Sequence, residues 1–249
     1  MNIDDFKCEL VKLGLICDEK KLFQLKKYYE LLVCWNEKIN LTAITNKEDV
    51  YLKHFYDSLT VCKVIDFSKV SSLCDVGTGA GFPGLVLKIF FPHIKLTLVD
   101  SLNKRIKFLD VVVNELELND VITIHSRVEE YGKINREKFD VVIARAVSSF
   151  NILLEYCIPL VKMNSYFISM RGIDDTEDGK NALKLLDSSI VNKISFRLPF
   201  ENSLRTIALI KKNNYTNRKF PRRFSEIKKK PLWEWFIILF LLISNFITY

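Results

Sequence analysis

The feature that most constrains the fold is a glycine-rich turn over residues 73–84 (LCDVGTGAGFPG), where an apolar run ends in an acid and then breaks. Four of the chain's eight glycines lie there, and glycine permits positive φ and a close approach of backbone to a ligand. Residues 70–76 predict a short buried strand, and apolar residues at helical spacing after the turn predict a helix. We therefore expect a ligand on this turn, facing several free backbone N–H groups and a helix N-terminus. A tight turn without a ligand is the less favoured alternative.

The composition is that of an ordinary globular protein, with 249 residues of which 49% are hydrophobic and 27% charged. This size fits one large domain, or one domain with a small appendage. The formal charge of +7 suggests a polyanionic partner, either nucleic acid or an anionic membrane. The N-terminus carries acids and no uninterrupted apolar segment, so we expect no signal peptide and a cytoplasmic location.

The cysteines and histidines predict neither disulfides nor a metal site. The six cysteines are scattered without a CxxC pair, so we expect most of them to be reduced core residues. The three histidines are dispersed, which leaves no constellation with metal-ligand spacing.

The first third of the chain is predicted to be helical. Apolar residues recur at three- and four-residue intervals over residues 4–40, which predicts two amphipathic helices, with Gly14 at a helix end and Asp18 as an N-cap. A third helix is expected to carry His54, Asp57 and Ser58 on one face, because they are spaced i, i+3 and i+4. That face either lines the ligand site or is simply solvated, and the sequence favours neither interpretation.

Alternating strands and helices follow the turn and predict a doubly wound α/β fold with a mostly parallel sheet. Ligands on such sheets bind beyond the carboxyl ends of strands, where Asp75, Asp100 and Arg145 are predicted to lie. Asp100 follows the first glycine by a little over twenty residues, the position of an acid that accepts hydrogen bonds from a ribose. We predict strands at 95–100, 121–125, 139–146, 166–170, 191–198 and 206–210, helices at 103–118 and 149–161, and a loop at 126–130.

The spacing of the glycines narrows the choice of nucleotide. Dinucleotide-binding folds carry G-x-G-x-x-G, whereas here the pattern is Gly77-x-Gly79-x-Gly81 with Phe82 where the third glycine is expected. A P-loop is excluded, because no Lys-Ser or Lys-Thr follows the glycines. A strand, an acid, GxGxG and a later ribose acid instead favour the S-adenosylmethionine site of a class I, Rossmann-like methyltransferase.

Several segments in the same order resemble one family within that class, the bacterial 16S ribosomal RNA guanine-N7 methyltransferases, also called glucose-inhibited division protein B. The resemblance spans about residues 20–232. Its segments are 40–42, 54–58, 75–84, 98–109, 127–130, 144–146, 218–223 and 230–232. It implies a seven-stranded, mostly parallel sheet with an N-terminal helical extension, and methyl transfer to a guanine N7, expected at position 527 of 16S ribosomal RNA. Residues 223–227 depart from the family's pattern, since they lack a glycine and a proline.

The resemblance also implies roles for individual residues. Val128 and Glu129 would hold the adenine side of the cofactor, and Arg145 would lie where the cofactor meets the base. The residues that we expect at the cofactor, partly from the turn and partly from the resemblance, are Asp75, Gly77, Gly79, Gly81, Phe82, Asp100, Val128, Glu129 and Arg145.

No general base is expected, because guanine N7 carries a free lone pair at neutral pH. Alignment of the reacting groups would then dominate catalysis. Arg145 is a candidate to position the substrate through guanine O6 or a phosphate; the alternative is a structural ion pair with Asp75 or Asp100. Cys157 lies in an apolar helix pattern, which argues against a cysteine nucleophile.

A basic run beside two aromatic residues is the candidate RNA interface, with a merely solvated charged face as the alternative. The basic residues that we expect at RNA are Lys104, Arg105, Lys211, Lys212, Arg218, Lys219, Arg222, Arg223 and Lys228 to Lys230. Two rival functions are a class I methyltransferase for another substrate and a catalytically silent RNA-binding protein. The partner is expected to be 16S ribosomal RNA or the small ribosomal subunit, and the protein a monomer.

We divide the chain into a helical extension (1–66), a methyltransferase domain (67–212), a basic RNA-binding tail (213–232) and an apolar extension (233–249). The last segment follows three lysines and is short for a membrane span. A docked helix or an extension without function is favoured over a peripheral membrane anchor.

Overall fold

A computed structural model describes residues 1–145 and 147–232 of the chain. The expectations for residues 233–249 lie outside this range. Within it, seven strands form one sheet in the order β3-β2-β1-β4-β5-β7-β6. The strands are β1 (Ser72–Val76), β2 (Lys95–Asp100), β3 (Val121–His125), β4 (Phe139–Arg145), β5 (Val161–Arg171), β6 (Ser188–Arg197) and β7 (Leu204–Lys212).

The sheet is mostly parallel, as the sequence predicts. Strand β7 runs antiparallel to both of its neighbours, and the other strand pairs are parallel. The chain moves outward from β1 to β3 and then returns to the other side of β1 with β4. The strand order therefore reverses between β1 and β4, and ligands bind at such a switch point beyond the strand carboxyl ends.

Alternate residues of the central strands enter two different cores, because successive side chains on a strand point to opposite faces. Leu73 and Val141 pack into the core on one face, while Cys74 and Val142 pack into the core on the other. Covering both faces explains why these strands are almost entirely apolar.

The N-terminal helices α1 (Ile3–Lys12) and α2 (Glu19–Ile39) share the first of these cores with the sheet. Asp18 caps α2 as predicted, since its side chain accepts a hydrogen bond from the Lys21 backbone N–H at 2.8 Å. Gly14 follows the end of α1 with φ of +73°. The core is continuous from these helices to the central strands and includes Ala80 and Phe82, so the glycine turn packs on the N-terminal segment.

The segment after α2 contains α3 (Lys47–Val50), a π-helical turn (Tyr51–Tyr56) and α4 (Asp57–Leu59). A π-helical turn changes the register of side chains around a helix. Ser58 consequently does not face the site with His54 and Asp57. It is fully buried, and its hydroxyl donates to the His54 carbonyl at 2.5 Å.

The remaining helices alternate with the strands. They are α5 (Gly84–Phe90), α6 (Asn103–Glu115), α7 (Val128–Ile134), α8 (Phe150–Cys157), α9 (Lys180–Leu185) and α10 (Phe224–Lys229). Two predictions are wrong here. The expected loop at 126–130 becomes helical from Val128, and α8 ends at Cys157 because a short 3₁₀ turn containing Pro159 leads into a longer β5.

Residues 213–232 pack against the second face of the sheet. Phe220, Ile227 and Leu232 belong to that core, and the Arg136 guanidinium donates to the carbonyls of Thr216 and Phe220. This tail is therefore part of the folded unit. No helix in residues 1–145 or 147–232 is long and apolar enough to cross a membrane.

Candidate active site

Two cavities lie at the carboxyl ends of β1 and β2, on either side of the glycine turn. The first cavity has a volume of about 230 Å³ and the second about 380 Å³. They share four lining residues and so form one cleft: Gly77, Asp100, Ser101 and Val147. Val128, Glu129 and Phe224 belong to the first cavity alone, and Gly79, Phe82 and Arg145 to the second.

The glycine turn has the positive φ values that its sequence predicts. Gly77, Gly79 and Gly81 have φ values of +66°, +61° and +96°, a region that glycine alone visits freely. An added Cβ on Gly81 would lie 2.5 Å from the Tyr28 hydroxyl and from a Leu85 methyl group, whereas Gly79 faces open space. Gly81 thus permits packing behind the turn, and Gly79 leaves room in the second cavity.

The expectation of several free backbone N–H groups on the turn is wrong. The N–H groups of Gly77 and Thr78 both donate to the Val99 carbonyl, at 2.8 and 3.2 Å, and the Gly79 N–H donates to Asp100 Oδ2 at 2.9 Å. These bonds tie the turn to β2. The turn therefore holds its shape without a ligand, and these three N–H groups are not free to donate to one.

Asp75 supports the turn from inside. Its Oδ2 accepts from the Thr78 hydroxyl at 2.7 Å and from the Gly84 N–H at 2.8 Å, and its side chain is fully buried. Burial raises the pKa of this carboxyl to about 6. Asp75 lines neither cavity, so its contribution to a cofactor would come through the geometry of the turn.

Asp100 lies where the two cavities meet. Its carboxylate accepts from the Gly79 and Leu102 N–H groups at 2.9 Å and from Arg105 Nη1 at 3.1 Å. Only 3% of its surface is exposed. The carboxylate is thus held rigidly at the end of β2, the place predicted for the ribose acid.

Glu129 and Val128 begin α7 and line the first cavity. Glu129 is buried, and its Oε1 has no hydrogen-bond partner in the described part of the chain. Burial raises the pKa of this carboxyl. An unpaired buried acceptor in a cavity is costly unless a ligand satisfies it, so the residues present fit a ligand with N–H donors, such as an adenine.

Phe82 lines the second cavity as part of a buried group of aromatic rings. Its ring lies 4.5 Å from the His54 ring at 18° and 5.2 Å from the Tyr28 ring at 23°. The Arg145 guanidinium carbon lies 5.4 Å from the same ring centroid, within range of a cation–π contact. Tyr28 also donates its hydroxyl proton to the Ala80 carbonyl. Helix α2 therefore braces the turn through one tyrosine.

Arg145 forms an ion pair, but with Asp57 rather than with Asp75 or Asp100, the alternatives expected from the sequence. Its Nη1 donates to Asp57 Oδ2 at 3.2 Å and to the Lys53 carbonyl at 3.1 Å. Asp57 also accepts from Arg205 Nε at 2.9 Å. Arg205 was not singled out from the sequence, because it lies on β7 with no motif around it.

His54 stays neutral beside Arg145. Burial and the Arg145 charge lower its pKa to about 3. The Thr42 hydroxyl lies 3.0 Å from His54 Nε2, and His54 Nδ1 lies 3.2 Å from the Lys53 carbonyl. Of the polar face predicted for this helix, His54 lines the second cavity, while Asp57 acts on it through its ion pair with Arg145.

The candidate RNA residues divide into exposed and internal groups. Lys104, Arg218, Lys219 and Arg223 are exposed, and Arg105 pairs with Asp100 at the second cavity. The prediction for Lys212 is wrong: it is fully buried and pairs with Glu137 at 2.9 Å.

Arg222 is also internal. It donates through Nε and Nη2 to the buried Glu155 carboxylate, at 2.8 and 2.6 Å, which indicates a structural anchor for the tail. The next helix, α10, contributes Phe224 and Lys228 to the first cavity, a role that the sequence did not suggest. Residues 223–227, which depart from the family's sequence pattern, form the N-cap and the first turn of this helix.

Among the described residues, no group of three or more His, Cys, Asp and Glu side chains is placed to hold a metal ion. Two of the six cysteines, Cys74 and Cys157, are buried, while Cys8 and Cys34 are exposed. Cys17 and Cys62 are partly buried and pack against the first core, so four of the six lie in or against a core, and all six are free thiols.

Together, the strand order, the glycine turn and the cleft at the switch point define a class I methyltransferase. The solved structure of a [4+2]-cyclase, SpnF, shares this fold with a TM-score of 0.52 and 13% identity over 64% of this chain and 81% of that one. A structure described as StiE O-MT superposes with a TM-score of 0.50 and 11% identity, over 64% of this chain and 74% of its own.

The family model described as GidB, rRNA small subunit methyltransferase G, matches residues 21–202, and the chain belongs to that family. Ribosomal RNA small subunit methyltransferase G of Bacillus cereus strain B4264 is 49% identical over 93% of this chain and 99% of its own length. The same enzyme of Bacillus anthracis strain CDC 684 has the same identity and coverage.

Proposed function

We propose that this protein transfers a methyl group from S-adenosylmethionine to N7 of a guanine in 16S ribosomal RNA, at position 527. The observation that carries the proposal is its 49% identity, over 93% of the chain, to enzymes named for methylation of small-subunit RNA. A cytoplasmic monomer acting on this RNA or on the small subunit is part of the same proposal.

The cleft supports the choice of cofactor. Its residues fit S-adenosylmethionine, with Glu129 and Val128 at the adenine, Asp100 at the ribose, and Gly77, Gly79 and Phe82 along the remaining length. When bound, the cofactor supplies an electrophilic methyl group on a positively charged sulfur. Gly81 and Asp75 act behind the turn, by holding its backbone in place.

Arg145 supports the choice of base. Guanine N7 and O6 are both acceptors on one edge of the base, so a donor that binds O6 lies next to the atom that is methylated. The Arg145 guanidinium lines the second cavity and is fixed there by Asp57 and the Lys53 carbonyl. Adenine presents an amino donor at the same place, so a guanidinium would disfavour it.

The chain needs no general base for this step. Guanine N7 attacks with a free lone pair, so no proton has to be removed first, and the positive charge passes to the methylated ring. The neutral His54, with its pKa lowered to about 3 by burial and Arg145, adds no charge beside that ring. Positioning is the main task of the residues here.

Mapping N7-methylguanine in small-subunit RNA from cells with and without the protein tests the proposal. We expect one guanine to lose its methyl group when the protein is absent. No difference at any guanine would overturn the proposed function. Calorimetry with S-adenosylmethionine distinguishes the proposed enzyme from the rival function, a catalytically silent RNA-binding protein. A protein that lost its cofactor site would give no heat of binding.

A further inference from the structure

The tail, residues 213–232, supplies part of the first cavity. Helix α7 contributes Glu129 to the lining of that cavity, and α8 contributes Ile152 and Tyr156. Helix α10, which belongs to the tail, contributes Phe224. The adenine end of the cofactor cleft is therefore bordered by two helices that alternate with the strands and by one that follows β7.

Arg222 fastens the start of α10 to α8. Its Nε and Nη2 donate to the two carboxylate oxygens of Glu155 at 2.8 and 2.6 Å, and its backbone N–H donates to Glu155 Oε1 at 3.0 Å. The Glu155 side chain is only 1% exposed. A paired guanidinium and carboxylate fix each other's orientation as well as their distance. Because Glu155 lies three residues after Ile152 and directly before Tyr156, the anchor is on the same helical turn as the cavity wall.

The position of α10 depends on such anchors. The helix has six residues, and isolated helices shorter than about 12–15 residues are marginal in water. Ile227 is fully buried in the second core and holds the inner side of the helix, while Arg136 holds the preceding part of the tail through two carbonyls. Arg222 lies only two residues before Phe224, so it sets the direction in which that ring leaves the tail.

Phe224 is the side chain that this anchor places at the cavity. The Arg127 guanidinium carbon lies 4.3 Å from the centroid of its ring, and Lys228 Nζ lies 5.4 Å from it. Both cations also line the first cavity. The ring is half-buried, so it keeps apolar surface that a ligand can cover. Burial of an aromatic ring against another flat ring is favourable, and Phe224 is therefore suited to cover an adenine.

We infer that Arg222 is a positioning residue for cofactor binding: paired with Glu155, it holds α10 so that Phe224 covers the adenine end of the cleft. This inference rests on the proposed function for the identity of the cofactor and takes nothing from the RNA substrate. It gives the tail a part in binding the cofactor, although its basic residues suggested only RNA.

The test compares Arg222→Ala with Lys162→Ala in the full chain, by calorimetry with S-adenosylmethionine. Lys162 also pairs with a carboxylate, that of Asp140 at 2.6 Å, and it lines neither cavity. We expect Arg222→Ala to weaken cofactor binding about fivefold, because the contact of one aromatic ring is lost. Lys162→Ala is expected to leave the affinity unchanged.

A double variant separates positioning from a general loss of stability. Because Arg222 acts through Phe224, we expect Arg222→Ala to cost less than about twofold in cofactor affinity when Phe224→Ala is already present. A loss that persists undiminished in the Phe224→Ala background would overturn the inference, since Arg222 would then affect the cofactor by another route. An equal loss in Lys162→Ala would overturn it as well.

Unchanged affinity in Arg222→Ala, with a wild type that binds the cofactor, would overturn the inference while the proposed function stands. A wild type that gives no heat with S-adenosylmethionine removes the proposed function, and the inference with it. If Arg222→Ala does not fold, hydrogen exchange on the wild type replaces it. We expect the cofactor to slow amide exchange severalfold in α10 and not in α9, which lines neither cavity. Equal exchange in α10 with and without the cofactor would overturn the inference.

Discussion

The two sides of the active site are built in different ways. On the cofactor side, the contact that fixes the turn joins Gly79, in the turn after β1, to Asp100 at the end of the adjacent strand β2, 21 residues away. On the nucleotide side, Asp57 meets Arg145 across 88 residues and Arg205 across 148. The cofactor side depends on a local backbone shape, whereas the nucleotide side depends on side chains brought together by the whole fold. Substitutions should therefore separate the two functions.

The largest separation is expected for Arg145→Ala. This change removes the donor proposed for guanine O6, and loss of one preorganised donor typically costs about 10²–10³-fold in rate. We expect single-turnover methylation of small-subunit RNA to fall by that factor. Affinity for S-adenosylmethionine, measured by calorimetry, is expected to stay within about threefold, because the turn and Asp100 are untouched.

Arg145→Lys tests whether methylation needs the donor geometry of the guanidinium or only its positive charge. Lysine retains a positive partner for Asp57 and lacks the fixed fork of donors, so we expect a loss of methylation close to that of the alanine variant with better thermal stability. If either Arg145 variant lost as much affinity for S-adenosylmethionine as it lost methylation rate, the cofactor side and the nucleotide side would not be independent.

The opposite separation is expected for Gly81→Ala. An alanine at φ of +96° costs about 1–3 kcal/mol of strain, and its Cβ would lie 2.5 Å from the Tyr28 hydroxyl. We expect affinity for S-adenosylmethionine to fall about tenfold or more as the turn shifts. Gly14→Ala is the matched control, since Gly14 has φ of +73° and no atom within 4 Å of an added Cβ. It should lose stability and keep cofactor affinity; equal affinity losses in both variants would contradict the prediction.

The different construction of the two sides also explains what could be predicted from the sequence. Strand, glycine turn and acid are contiguous patterns, so the position of the turn and the ends of β2 and β3 were predicted correctly. The seven-stranded sheet followed from the family resemblance. The ion pair of Arg145 was misassigned because its partner depends on how the π-helical turn and β4 pack, and no local pattern reports that. Arg205 was missed for the same reason, and Lys212 was misread because a charge run gives no information on which lysine is buried.

The next prediction concerns His54, which lies between the two sides. Its pKa is about 3 in the folded protein because of burial and Arg145, against about 6.5 in an unfolded chain. As pH falls below 6.5, the unfolded state binds a proton that the folded state does not, so stability is lost on the acid side by at most about 1.4 kcal/mol per pH unit. Asp75 acts in the opposite direction between about pH 4 and pH 6. Burial raises its folded pKa to about 6, so in this range the folded state binds more protons and stability rises as the pH falls.

His54→Gln isolates the histidine contribution. We expect the unfolding free energy of this variant to fall less steeply than that of the wild type between pH 6.5 and 5, measured by urea denaturation at each pH. His93→Gln is the control, because His93 is exposed and should leave the wild-type slope unchanged. Parallel curves for wild type and His54→Gln would show that the histidine is not held neutral by its surroundings.

The smallest effect is expected for Phe224→Ala, in the tail that the sequence assigned to RNA alone. Phe224 lines the first cavity, and the Arg127 guanidinium lies 4.3 Å from its ring. Removing the ring should weaken S-adenosylmethionine binding by about 1 kcal/mol, or about fivefold, while KM for RNA changes little. Phe200→Ala, a change at an exposed phenylalanine outside the cavities, should alter neither. If Phe224→Ala raised KM for RNA and left cofactor affinity unchanged, Phe224 would contact RNA and not the cofactor. The expected result instead makes α10 a wall of the cofactor site, with the exposed arginines just before it left free to reach RNA.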